Sequence, residues 1–270
     1  MVKRDDSDKA FQTFLDRHPK ADRGELAPAP RDHDDPIVHE LVTACLAWDA
    51  PRKGVAPALE KIRETLIDYN EFRVMIPEDA GALLGARYPN AEERCARIRA
   101  ALTEVFHREN GVALSHLREA NKRDAKAYLD SLPGLPAYVV NRVALVGCGV
   151  HAFPVDSVIH DLFDNAGVTE ADSNPSALAS RLERTIRAGD AEERFWAIEA
   201  ATTKAASKKP ASKATSKPAK KTTKKAAAKP TSKAASKTTK KTAKTTATKP
   251  AKKTATKSKK TSQRSSGKDG

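Results

Sequence analysis

The chain has 270 residues and a formal net charge of +14, but that charge is confined to one end. From Ala201 onward stand 22 Lys and one Arg against a single Asp, a net +22, which leaves residues 1–200 with 26 basic and 34 acidic side chains and a net −8. The last stretch contains no Leu, Ile, Val, Phe, Trp or Tyr, so it cannot bury enough apolar surface to offset the entropy of ordering and is expected to be disordered.

Residues 1–200 hold the branched and aromatic side chains needed for one core of ordinary size. No run approaches the roughly 20 apolar residues of a membrane span. The opening MVKRDDSDKAFQTFL has acids where a signal peptide needs apolar residues. The expectation is a soluble, cytoplasmic, monomeric chain with no membrane partner.

In chain order, a short N-terminal helix comes first, followed over residues 18–35 (HPKADRGELAPAPRDHDD) by a polar, proline-bearing stretch that reads as a flexible linker. After Pro36 the pattern turns helical. Ile37, Leu41, Val42, Cys45 and Leu46 share one face, and Leu59, Ile62, Leu66 and Ile67 share the next. A third helix opens at Asn90 as N-cap, with Glu93 completing a capping box, and ends at Gly111; Cys95, Ile98, Leu102, Val105 and Phe106 form its stripe. Two helices flank Pro133-Gly134, at about 121–131 and 137–148; another follows Asp156, and one over about 175–198 carries Leu178, Leu182, Ile186 and Trp196. No segment alternates as a strand does, so the fold class is all-α. The expected domains are 1–35 (helix and linker), 36–200 (helical domain) and 201–270 (lysine-rich nucleic-acid-binding tail). Cys45, Cys95 and Cys148 are about 50 residues apart in apolar helical contexts and read as buried thiols in a reducing compartment. Without a C-x-x-C pair, neither zinc nor an iron–sulfur cluster is supported, and no cofactor is expected.

The segment with chemical content is LDSLPGLPAYVVNRVALVGCGVHAFPVDSVIHDL, residues 129–162. It reads as helix, a five-residue hairpin (Leu132, Pro133, Gly134, Leu135, Pro136) and a second helix opening at Ala137 and Tyr138. The unpaired N–H groups and partial positive charge of a helix N-terminus suit a phosphate. About 20 residues beyond the hairpin, Val155-Asp156 opens the next helix. Hairpin, gap and Val-Asp together resemble the helix-hairpin-helix DNA glycosylases of the endonuclease III superfamily, over roughly Pro36 to Val168, with YPNAEERCARIRAAL (88–102) in place of the family's helix before the hairpin.

That resemblance implies a double-stranded DNA partner and a base-excision-repair hydrolase. Asp156 takes the place of the family's catalytic aspartate, which supports water attack on a flipped-out nucleotide and stabilises the charge that develops as the base leaves. Tyr138 stands where bifunctional members carry their Schiff-base lysine. A phenol forms no imine, so the resemblance implies base removal without AP-lyase chemistry. Pro136 replaces the second hairpin glycine. It removes one N–H that could meet a phosphate, or is harmless at the first turn of a helix. The four-cysteine iron–sulfur loop is absent after Gly167. Trp48 falls near the family's glutamine and reads either as a wedge filling the gap of a flipped base or as a core tryptophan. Asp156 itself is a good N-cap with or without catalysis. His151 and His160 read as surface residues.

Near-repeats in the tail, Ser216-Lys217-Pro218-Ala219-Lys220-Lys221 and Thr248-Lys249-Pro250-Ala251-Lys252-Lys253, resemble linker-histone tails. Such a lysine block binds polyanions through counterion release, and each neutralised phosphate steepens the log–log salt dependence by about 0.9. The sequence supports two readings. The leading one is a monofunctional DNA glycosylase, nucleoid-associated through its tail. The other is a non-catalytic architectural DNA-binding protein that keeps a decayed glycosylase fold.

Overall fold

Residues 36–47, PIVHELVTACLA, form helix α2 (Pro36–Ala47) in a computed structural model that describes residues 2–24, 28–170 and 173–208. Proline occupies the first turn, where its missing N–H is not needed. The Asp35 carboxylate accepts the N–H groups of Ile37 and Val38 at 2.9 and 3.0 Å. Its other oxygen accepts from the Leu114 and Ser115 N–H groups and the Ser115 hydroxyl. One carboxylate therefore caps α2 and fixes a distant loop to it. Every residue from Ile37 to Ala47 is buried, so α2 is the axis of the core.

Around α2 pack α3 (Val55–Thr65), α6 (Ala91–Glu109) and α8 (Ala137–Arg142), while α4 (Tyr69–Val74) and α5 (Pro77–Leu84) lie against α6. Helix α7 (Lys122–Asp130) leads through the hairpin into α8, which continues as a π-helical stretch, Val143–Gly147. Helices α9 (Ser157–Asn165), α10 (Pro175–Thr185) and α11 (Ala191–Lys208) complete the body. No strand occurs among the described residues, and the all-α expectation is borne out.

Several local expectations change. Asn90 precedes α6 in the left-handed region (φ 49°) and makes no side-chain cap, while Glu93 turns to Arg97 instead of closing a capping box. Asn110, at φ 54°, ends α6 one residue before Gly111. Ile67 lies beyond the end of α3 and is 72% exposed. Phe106 is 36% exposed, its face covered by the Arg73 guanidinium 4.0 Å from the ring centroid. What reads as one helix over 175–198 is α10 and α11, separated by Ile186 and a short 3-10 turn.

Both ends of the body depart from the boundaries drawn in sequence. α1 (Val2–Asp16) buries Phe11, Phe14 and Leu15, with the Phe11 and Phe14 rings 5.6 and 4.6 Å from that of Phe163 on α9. Arg194 of α11 donates to the carbonyls of Leu15 and His18 at 2.8 and 3.0 Å. These carbonyls close α1, and a C-terminal cation suits them. The stretch that reads as a linker is held by the His39 ring against the Pro28 carbonyl (2.7 Å) and by Arg31 against the Leu66 carbonyl (2.8 Å). Residue 35 is therefore no break in packing. At the other end α11 runs through Lys208, with Ala201 and Thr202 buried, because alanine and lysine are good helix formers where one face has a core to cover. Among the described residues no helix is long and apolar enough to cross a membrane.

Integration of α1 predicts that Phe11→Ala lowers global stability by about 3–5 kcal/mol in urea unfolding. An unchanged midpoint would mark α1 as a detachable arm.

Candidate functional site

The hairpin is built by local rules. Asn121 caps α7 by accepting the Arg123 N–H at 3.0 Å, Leu132 is buried as an anchor, and Gly134 takes φ +69°, which a side chain disfavours. Pro133, Gly134 and Ala137 are exposed, and Pro136 precedes the first residue of α8. Beyond the π-helical stretch, Asn141 and Glu183 hold the Phe153 peptide, donating to its carbonyl (3.2 Å) and accepting its N–H (2.8 Å). This delivers Asp156 to the head of α9, where Oδ1 accepts the Ile159 N–H at 3.0 Å as a true N-cap.

Asp156 does more than cap. Arg52, in a 3-10 turn before α3, donates from Nη2 to both carboxylate oxygens at 3.0 and 2.9 Å, and the Asp49 N–H donates to Oδ2 at 2.9 Å. The side chain has 0% of its surface exposed. Arg52 also donates from Nε to Glu199 on α11 and from Nη1 to the carbonyls of Ala47 and Ala50, so all five of its N–H donors are used. Tyr138 lies under the same guanidinium, 5.3 Å from ring centroid to guanidinium carbon. Its hydroxyl donates to Glu199 Oε1 at 2.9 Å and accepts from Arg142 Nη1 at 3.1 Å. Arg142 continues the chain to Glu40 on α2 at 2.7 Å, and Arg23 reaches the same carboxylate at 3.0 Å. Asp156 and Tyr138, which the sequence pairs only by spacing, are thus brought into one buried network.

Charge balance governs this cluster. Three carboxylates (Asp156, Glu199, Glu40) face three guanidiniums (Arg52, Arg142, Arg23), as buried charge requires. Burial pushes the Asp156 carboxyl upward, and Arg52 pulls it back without cancelling that effect. Burial also drives the Tyr138 phenol well above its ordinary value, so it stays protonated and donates to Glu199. A cleft of about 450 Å³ opens between the end of α1 and α11, lined by Arg17, His18, Leu162 and Lys204 among others, and neither Asp156 nor Tyr138 lines it.

Trp48 terminates α2 and is partly buried against the core. The guanidinium carbons of Arg94 and Arg97 lie 5.4 and 5.0 Å from its ring centroid. Asp49 follows at φ 46°, and its Oδ1 accepts from the Ser157 N–H and hydroxyl at 2.9 and 2.6 Å. Asp49 and Asp156 accept the Ser157 and Ile159 N–H groups at the head of α9, and two carboxylates there leave that terminus unsuited to an anion. His160 is half-buried, with Nε2 shielded, whereas His151 is exposed. Cys45, Cys95 and Cys148 are buried thiols pushed up to about 12, 12 and 11. Three cysteines cannot supply a four-thiolate loop, and no cluster of His, Cys, Asp or Glu suited to a metal occurs among the described residues. Lys217, Lys220, Lys221, Lys249, Lys252 and Lys253 lie outside the described residues.

No protein family profile and no curated protein sequence matches the chain. Solved structures do. An endonuclease III in a non-covalent complex with DNA aligns at a TM-score of 0.53 and 14% identity, covering 71% of this chain and 83% of its own. An endonuclease III trapped covalently on DNA, in an estranged-adenine complex, aligns at 0.50 and 14%, covering 72% and 81%. A thermostable thymine-DNA glycosylase aligns at 0.50 and 16%, covering 73% and 87%. The fold is therefore that of the helix-hairpin-helix DNA glycosylases, in a divergent form. At these identities the likeness is one of fold.

Sequence reasoning did not single out Arg52, Glu199, Glu40, Arg142 or Arg97. For three of them a signal exists: Glu40 in PIVHELV, Arg142 in VVNRVAL and Glu199 in FWAIEAA are lone charges inside apolar runs, which are buried only when paired. Arg52, in the polar APRKG, carries no such signal.

Arg52→Ala removes the cation shared by Asp156 and Glu199 and is expected to lower stability by about 3–5 kcal/mol near neutral pH. The stranded Asp156 carboxyl, already raised by burial, then holds its proton still more tightly folded than unfolded, so the deficit shrinks as pH falls from about 7 to about 5. Urea unfolding at both pH values checks this; a deficit that grows on acidification would contradict it.

Proposed function

We propose that the chain is a double-stranded DNA-docking protein of glycosylase fold, tethered by its lysine-rich tail, whose base-pocket position is filled by its own ion network. One observation carries this reading. The Asp156 carboxylate has no exposed surface, and both oxygens are already engaged by Arg52, Asp49 and Ile159. A group that assists water attack must touch the water or the sugar. Asp156 instead faces Arg52, with Glu199 and Tyr138 on that guanidinium's other sides, which supports a structural role for the carboxylate. The proposed role is architectural, at the nucleoid, with DNA bound as duplex and no base removed. The DNA complexes among the similar folds support the partner, and the +22 tail supplies the affinity that a −8 body lacks.

A specific observation favours a second reading, the monofunctional DNA glycosylase. Tyr138 and Asp156, which the resemblance matches to positions of that chemistry, meet in one network rather than lying apart. Base removal then requires Arg52 and Glu199 to withdraw as a nucleotide enters.

Both readings meet one assay. Duplexes carrying a panel of damaged or mismatched bases are incubated with the full chain and with Asp156→Asn. The docking reading expects duplex binding and no base release from either. Release by the wild type that is lost in the variant would establish the glycosylase instead. Absence of duplex binding would remove both.

The tether is tested by truncation after Lys208, which spares α11; a cut at Thr203 would damage the folded body. Truncation is expected to flatten the log–log salt slope by several units. An unchanged slope and affinity would show that the tail does not hold the DNA.

A further inference from the structure

Arg97 joins three features that have so far stood apart. It projects from α6 and is 31% exposed. Nη1 donates to the carbonyl of Gly134 at the hairpin turn, while Nε and Nη2 both donate to Glu93 Oε1, at 3.2 and 2.6 Å. Its guanidinium lies 5.0 Å from the centroid of Trp48. Three of five N–H donors are used in this way, which leaves two without an oxygen acceptor among the described residues.

Arg94 adds an independent observation on the other guanidinium at Trp48. It is 1% exposed and donates to the carbonyls of Pro89, Cys45 and Leu46, and no carboxylate among the described residues comes within ion-pair distance of it. Its Nη2 is buried without a hydrogen-bond partner. The neighbourhood of Trp48 therefore carries a buried positive charge that no protein anion among the described residues pairs with, beside a second one that is partly exposed and paired with a half-exposed carboxylate. On a body of net −8 this is an unusual place.

We propose that Arg97, seated on the hairpin carbonyl and stacked near Trp48, is the body's phosphate ligand and replaces the backbone donor that Pro136 removes. This rests on the DNA-docking reading and deepens it. A backbone N–H offers a phosphate one neutral donor, whereas a guanidinium offers a forked pair with a full charge. Bonding to Gly134 fixes that fork at the hairpin tip. The present partner, Glu93, is a half-exposed i,i+4 carboxylate of the kind that holds only weakly, so a phosphate displaces it readily. Trp48, one residue before Asp49, then lies against the edge of the bound duplex.

The test uses the full chain and an end-labelled duplex, with anisotropy reading binding and acrylamide quenching reading Trp48. The other tryptophan, Trp196, is 2% exposed and contributes little to the quenching. Duplex is expected to shield Trp48 in the wild type. Arg97→Ala is expected to lose that shielding, to weaken binding about tenfold at about 0.1 M salt, and to flatten the salt slope by about 0.9. Arg97→Lys should restore the slope but not the full affinity. Glu93→Gln, which removes the competing carboxylate, should tighten binding about twofold. This gain cannot come from a misfolded variant. Duplex binding that leaves Trp48 equally quenchable, with Arg97→Ala unchanged, would overturn the assignment while sparing the docking reading. Failure of the wild type to bind any duplex would instead defeat the docking reading itself.

Discussion

One guanidinium, that of Arg52, holds the site together. It ties the end of α2 through two carbonyls, the head of α9 through Asp156 and α11 through Glu199, and it lies over the ring of Tyr138 on α8. Four elements far apart in sequence meet on one planar cation with every donor engaged. A buried network of this kind is stable only while complete, because removing one member leaves the others desolvated and unpaired. The same side chains cannot serve at once as a fixed structural centre and as the floor of an open pocket. That conflict favours docking over catalysis.

The parts of the fold written in local pattern are legible from sequence. Most helical stripes, the Pro133-Gly134 turn and the helix opening after Asp156 depend on neighbouring residues and recur in the structure, whereas Ile67 falls beyond its helix and the helix read over 175–198 is two. Asp156 illustrates the limit. Its capping role is local and readable; its pairing with Arg52, 104 residues away, is not. The Asn90 capping box failed because the chain enters α6 in a left-handed turn that no composition rule reveals, leaving Glu93 free to meet Arg97. The segment before Asp35 reads as a linker because its composition is polar. Its order comes from His39 and Arg31 holding backbone carbonyls, which composition does not register.

Trp48 shows how two plausible readings of one residue can both be incomplete. It is neither wholly core nor a bare wedge. It ends α2, packs one side on the core and offers its ring to two arginines. Through Asp49 it is one residue from the Asp156 network, and through Arg97 it is bonded to the hairpin. The hairpin and the aspartate, linked in sequence only by a gap of about 20 residues, are linked in space through this corner of α2.

The division of charge then sets what the body has to do. Sixty-two residues follow Lys208. On the tethered reading proposed above, a duplex held by the lysines of this stretch is supplied to the body at a raised local concentration. Under that condition the body needs little intrinsic affinity, and its acidity becomes useful: long-range attraction is left to the tail, and only a duplex presented closely enough to meet Arg97 and the hairpin overcomes the surrounding negative field. A single well-placed guanidinium is then sufficient to orient the fold on DNA, and an intact nucleotide pocket is not required for it.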